Sequence, residues 1–279
     1  ILNSAEFYGS LRSLSSRYTS LALVIGTRRS LNQLNVQTQE INPHSSPYFN
    51  IFTELRLGPL PKRDAAKLLA LAGNRFDDND SQFIILSSGR HPFLLQMAAD
   101  IMWEADLEGK KGIARYEAVA EEFRAQSEKH FADTWRTWSE AECKVIMAIA
   151  LSQMTSLIEN RHFEWSSLID DIKDYSPEIR GLEKSGTIFE MEKDKWRISQ
   201  RALLWWLADE IKRLVRDESS LEEWLEEQVI DGVLTLEEKR TLGEVLREVG
   251  EFLGHGAMSL IGAFARGVGE GLGESTMRY

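Results

Sequence analysis

The chain has 279 residues, 43% of them hydrophobic and 28% charged, enough apolar material for one large soluble core or two modest ones. Its net charge of −11 argues against nucleic acid as an obligatory partner, and its single cysteine, Cys143, excludes a disulfide framework and suits a reducing cytoplasm. No signal peptide is evident, and no uninterrupted apolar run approaches membrane-spanning length.

The first residue is isoleucine and a strand is expected soon after it, so the N-terminus reads as a cut inside a domain. A helix over 3–18 (Phe7, Leu11, Leu14, Tyr18) feeds an apolar run, Leu21 to Gly26, that has the composition of a buried parallel strand. Asn32 to Phe52 is polar and rich in Pro, Ser and Asn, and reads as loop. A second short strand, Thr53 to Leu57, is closed by Gly58-Pro59. Residues 1–60 are thus expected to be the C-terminal part of an α/β core built on a parallel sheet.

From Pro61 the pattern turns helical. Pro61 suits a first helical turn, Gly73 a stop, and three further helices follow from about Asp78, from Pro92 and over 114–137. Residues 61–137 read as a helical lid. A capping box, Ser139-Glu140-Ala141-Glu142, then opens a new unit over 138–216. Helices at 140–151, 163–173 and 177–185 lead to a hairpin, Ile188 to Met191 and Trp196 to Ile198 around a polar turn, and then to a helix bearing Trp205 and Trp206. Three helices and a hairpin make a winged helix. The tail, 217–279, holds acidic helices and a glycine-rich apolar segment. Fold class is therefore α/β followed by mostly α.

Charge is unevenly spread. Residues 1–100 carry 10 Lys and Arg against 8 Asp and Glu, whereas residues 218–279 carry 5 against 13. An anion site belongs in the first third. No G-x-x-x-x-G-K-[ST] loop occurs; the nearest candidate, Gly109-Lys110, has Glu104 where the first glycine is needed and Lys111 after the lysine. Unaided, this chain should not hydrolyse ATP. Arg28, at the expected C-terminal end of the strand at 21–26, is the best single candidate for meeting a phosphate. A guanidinium there pairs bidentately with a terminal phosphate. A solvated basic pair, Arg28-Arg29, is the plainer alternative.

Gly26-Thr27-Arg28 resembles the sensor-1 arginine motif of the STAND class of signalling ATPases, relatives of the AAA+ proteins. Phe7 to Leu14 resembles the helix after that family's Walker B strand. Ser46 to Asn50 and Leu57 to Leu60 resemble its approach to the lid, and Gly89-Arg90-His91-Pro92 resembles its Gly-Gly-x-Pro turn. Leu182 to Ile188 and Trp196 to Ser199 resemble its winged-helix close. The set falls in the family's order over residues 5–212. The resemblance implies a C-terminal portion lacking the Walker A and B half, with ATP or ADP and Mg2+ bound only in the intact protein. It implies that Arg28 and Thr27 face the terminal phosphate and that Pro92 packs on the adenine. Arg90 departs from the family pattern, standing where a second glycine is usual. It also implies the N-terminal half of the same protein as partner, homo-oligomerisation on activation, and a signalling role in defence or stress.

Two other readings stay open. A winged helix can enter a DNA groove, but the candidate recognition helix, Ser176 to Lys184, balances two acids against two bases, so DNA is not expected. In residues 252–273 apolar side chains alternate with glycines, a pattern suited to self-association or membrane contact, although Arg266 and Glu270 make a simple span expensive. The tail residues Asp231 to Glu238 mimic half of a calcium loop, but Val229 supplies no oxygen at a required position. The five histidines are scattered without metal spacing.

Overall fold

A computed structural model describes residues 5–18, 20–27, 29–41, 47–154, 170–214, 223–224 and 236–254. The chain divides into two compact units, Ile1–Arg56 and Leu57–Tyr279.

In the first unit lie α1 (Ala5–Arg17) and α2 (Leu31–Ile41). Helix α2 falls where a loop was expected. Its start is a capping box: the Ser30 hydroxyl accepts from the Gln33 N–H at 3.2 Å, and the Gln33 amide oxygen accepts from the Ser30 N–H at 2.9 Å. Thr38 is buried two turns on, its hydroxyl donating back to the carbonyls of Leu34 and Asn35. A small aromatic group, Tyr8 with Tyr48 and Phe49, packs this unit, and the Asn35 side chain accepts from the Phe49 N–H.

The strands expected at 21–26 and 53–57 are not formed. Both stretches are irregular chain, and no parallel sheet is present among the described residues. The physical reason is that every hydrogen bond of a strand is made to a neighbour, so strand composition without a partner specifies nothing. Val24 is 95% exposed and Leu55 83%.

Among its described residues the second unit is helical apart from one hairpin and its connections. It contains α3 (Lys62–Ala70), α4 (Asp78–Ser88), α5 (Pro92–Leu107), α6 (Gly112–Trp135), α7 (Glu140–Met154) and α8 (Ser176–Ser185). These are followed by β1 (Ile188–Glu192), β2 (Lys195–Ile198), α9 (Arg201–Leu214) and α10 (Leu236–Gly254). The Ser139–Glu142 capping box forms as expected, with bonds of 2.8 and 3.2 Å. The helix expected at 163–173 lies mostly outside the described residues, as do the calcium-like loop and the glycine-rich segment from residue 255 on. Among the described residues no helix is long and apolar enough to cross a membrane.

The helices read as lid and those read as winged helix share one core. Helix α7 is its axis: every residue from Val145 to Leu151 is buried, the pattern of a helix covered on all sides. Leu94, Leu95, Ala98 and Met102 of α5 join it, with Leu203, Leu204 and Leu207 of α9. Each such leucine contributes about 1.5–3 kcal/mol. Trp206 lies 5.9 Å from Trp135 and 6.3 Å from Phe131, ring centre to ring centre, so the tryptophans are packing groups that join α9 to α6. Polar anchoring comes from Asp80, which completes the α4 capping box with Asp77 and pairs with Arg115 of α6 at 3.1 Å, only 2% exposed.

The Pro59 ring packs closely on the backbone at Gly186, the left-handed C-cap of α8 (φ 73°). A Cβ there would stand 2.2 Å from Pro59 Cδ. We therefore expect Gly186→Ala to destabilise the chain by about 2–4 kcal/mol in urea denaturation. Gly109→Ala, at φ 76° but with nothing within 4 Å, should lose only about 1 kcal/mol.

Cys143 sits at the start of α7 with its sulfur 3.8 Å from the Trp135 carbonyl. Burial, then the carboxylates of Glu142 and Glu140, push its thiol up to about 11. Iodoacetamide at mildly alkaline pH should modify it about a hundredfold more slowly in the folded chain than in urea. The folded state holds this proton where the unfolded state has lost it. Stability should therefore fall as pH rises from the ordinary thiol range toward 11, and a urea series across that window checks the sign.

Candidate functional site

Helix α4 ends at Gly89, whose φ of 59° is left-handed and whose N–H donates to the Ile85 carbonyl. The next residue, Arg90, is also left-handed (φ 62°), a conformation that is costly for a side-chain-bearing residue. Its neighbours hold it there. The Ser88 hydroxyl accepts from the Arg90 N–H at 3.3 Å and donates to the Ile84 carbonyl at 2.7 Å. The Arg90 carbonyl accepts from the Leu60 N–H at 3.0 Å, fastening the turn to the segment that precedes α3. His91 is the N-cap of α5, where its side chain makes no capping bond, and Pro92 stands exposed at the first helical position.

This turn lies directly on the β2–α9 junction. A Cβ on Gly89 would come within 2.6 Å of Gln200 Cγ and 2.9 Å of the Ser199 carbonyl. Only a glycine allows this approach.

Half-buried cations stand on both sides of that contact. Burial pushes the Arg90 guanidinium below its ordinary value, and burial followed by the charge of Arg90 does the same to Lys62. Across the contact, burial lowers Arg197 against an opposing pull from Glu192, while burial and then Arg197 lower Arg201. Among the described residues none of the four makes an ion pair. Two of them also begin helices, Lys62 in α3 and Arg201 in α9, where the macrodipole disfavours positive charge. A desolvated cation at a positive helix end is an unfavourable arrangement unless an anion joins it. What these groups can do chemically is hold a phosphate or a comparable anion.

Of the residues singled out in the sequence, Arg90 and Pro92 share this turn. Thr27 lies in the other compact unit, its hydroxyl accepting from the Arg29 N–H at 3.0 Å; a Cβ on the adjacent Gly26 would meet nothing within 4 Å. Arg28 lies outside the described residues. Lys62, Arg197 and Arg201 were not singled out as site residues. A signal for Arg201 was available: it opens an apolar helix, with Leu204 and Trp205 one turn on, at a position where a cation is disfavoured.

The family described as Novel STAND NTPase 2 matches residues 2–155, more than half of the chain, and the chain belongs to that family. The match ends beyond α7, short of the hairpin and α9. No curated protein and no solved structure matches the chain.

Removing the strain of an unpaired cation should show directly. In anion-free buffer Arg201→Met should stabilise the folded chain by ~1–2 kcal/mol. Inorganic pyrophosphate should raise the unfolding midpoint of the parent chain but leave that of the variant unmoved. Equal shifts in the two proteins would remove Arg201 from the site.

Proposed function

We propose that this member of the family is the C-terminal part of a nucleotide-dependent signalling switch, closed with ADP, open with ATP, and self-assembling when open. The observation that carries the reading is the contact between the Gly89–Pro92 turn and the β2–α9 junction, flanked by cations that make no ion pair among the described residues. On this reading residues 61–137 are the lid and residues 138–216 a winged helix that clamps the nucleotide. The group packed on the lid is the one that moves.

The residues fit the ligand the family implies. Bound nucleotide would supply Lys62, Arg90, Arg197 and Arg201 with the ion-pair partner that none of them has among the described residues, with Mg2+ accompanying the phosphates. Pro92, rigid and exposed at the start of α5, offers a flat apolar surface to the base. Arg28 and Thr27 are assigned to sensing the terminal phosphate. Residues 21–26 and 53–57, with Val24, Leu55 and Leu57 exposed, have the composition to join a parallel sheet, and the partner we assign them is the N-terminal half of the same protein. Homo-oligomerisation on activation and a defence or stress role follow from the family alone.

The energetic demand on such a switch is modest. A ligand that prefers one state by about 5.5 kcal/mol takes a population from almost wholly closed to almost wholly open. A handful of charge-assisted contacts made in only one state reaches that figure.

The test is the nucleotide content of the protein purified from its complete native reading frame, released by acid and separated by chromatography. Stoichiometric ADP or ATP is expected, and Arg90→Ala with Arg201→Ala should lower the retained amount at least about tenfold. Protein that carries none, and that neither nucleotide stabilises, would reduce the first unit to scaffold.

A further inference from the structure

We propose that the outer edge of β1 binds an extended basic peptide segment, adding it to the hairpin as a third strand. This goes beyond the nucleotide switch and does not depend on it.

The register of the hairpin shows which backbone groups are free. The Ser199 N–H donates to the Thr187 carbonyl at 2.9 Å, and Phe189 stands opposite Arg197 two residues on. In an antiparallel ladder bonded and non-bonded pairs alternate, so Phe189 bonds inward to Arg197 while Ile188 and Glu190 turn their N–H and C=O outward. The other edge confirms the alternation: the Ile198 N–H also points outward, and there it donates to the Gln153 side-chain oxygen at 3.0 Å. One edge of the hairpin is therefore capped by a side chain from α7. The opposite edge, at Ile188 and Glu190, has no backbone partner among the described residues.

A groove of about 330 Å³ runs along that open edge, between β1 and Glu183 of α8. Its floor alternates half-buried Phe189 and Met191 with exposed Glu190 and Glu192. Strand addition takes its affinity from main-chain bonds and its specificity from such alternating side-chain positions. The charges choose the occupant. Glu183, Glu190 and Glu192 line the groove with one cation, Lys193; Lys195 pairs with Glu192 at 3.3 Å, which still leaves the acids in excess, so an incoming strand with Lys or Arg on the acidic side is favoured. A second copy of β1 would set carboxylates against carboxylates, which blunts self-pairing. The register slips between Glu190 and Glu192, so the pairing is short and the affinity modest.

The experiment uses the full chain and fluorescein-labelled octapeptides followed by anisotropy. An alternating Lys-Val peptide is expected to bind with a Kd on the order of 10–100 μM, and an alternating Glu-Val peptide not at all. Two methylated forms of the Lys-Val peptide separate strand addition from simple charge attraction, one N-methylated at every Lys and the other at every Val. Only alternate N–H groups face the edge, so one form should lose at least about tenfold while the other binds like the parent. The exposed pair Glu190→Gln with Glu192→Gln should weaken binding about tenfold without moving the unfolding midpoint. Equal loss from both methylation patterns, loss from neither, indifference to peptide charge, or no binding below about 1 mM each overturns the proposal.

Discussion

Two places where the chain packs too closely for a Cβ organise the second unit. At Gly186 the chain leaving α8 rests on Pro59, and at Gly89 the chain leaving α4 rests on Ser199 and Gln200. Between them the Leu60 N–H reaches the Arg90 carbonyl. The entry to α3, the α4–α5 turn, the start of the hairpin and the start of α9 are thereby fastened into one assembly. The apolar core beneath, centred on α7, supplies most of the free energy, but it is non-directional. These glycine contacts decide which loops meet.

What meets there is electrostatically odd. Lys62 and Arg201 occupy helix starts, where Asp or Glu would be favoured, and Arg90 holds a backbone conformation that glycine adopts freely. Other helix starts in the unit follow the ordinary rules: Asp77 and Asp80 cap α4, Ser139 and Glu142 cap α7, and Arg115 is paired with Asp80. On the proposed reading, the local rules broken at this contact are made good by a charge from outside the chain.

The helical part of the fold was legible because its signals are local. Pro61, the Ser139–Glu142 box, Gly89 and the polar turn between Met191 and Trp196 each act within a few residues, and each marks an element where expected. Helix α2 was missed although Ser30 and Gln33 spell a capping box, because Pro43, Pro47 and the surrounding Ser and Asn dominated the composition. The strand at 21–26 failed for the opposite reason. Its residues are right, but the bonds that make a strand belong to its neighbours. The cations were harder still, since lacking a partner is a tertiary property. Arg197 sits in an ordinary strand and Lys62 in an ordinary first turn, and only the folded chain shows what does not face them.

The side chain of Gln153 has a consequence at a larger scale. By occupying the Ile198 N–H it makes the hairpin a sheet with one closed side, whose width can grow in a single direction. A newly added strand would present its own far edge, but the original hairpin could never be sandwiched between two additions. One glutamine thus separates a surface that accepts a guest from one that seeds stacking on both flanks, and the difference lies in a single amide.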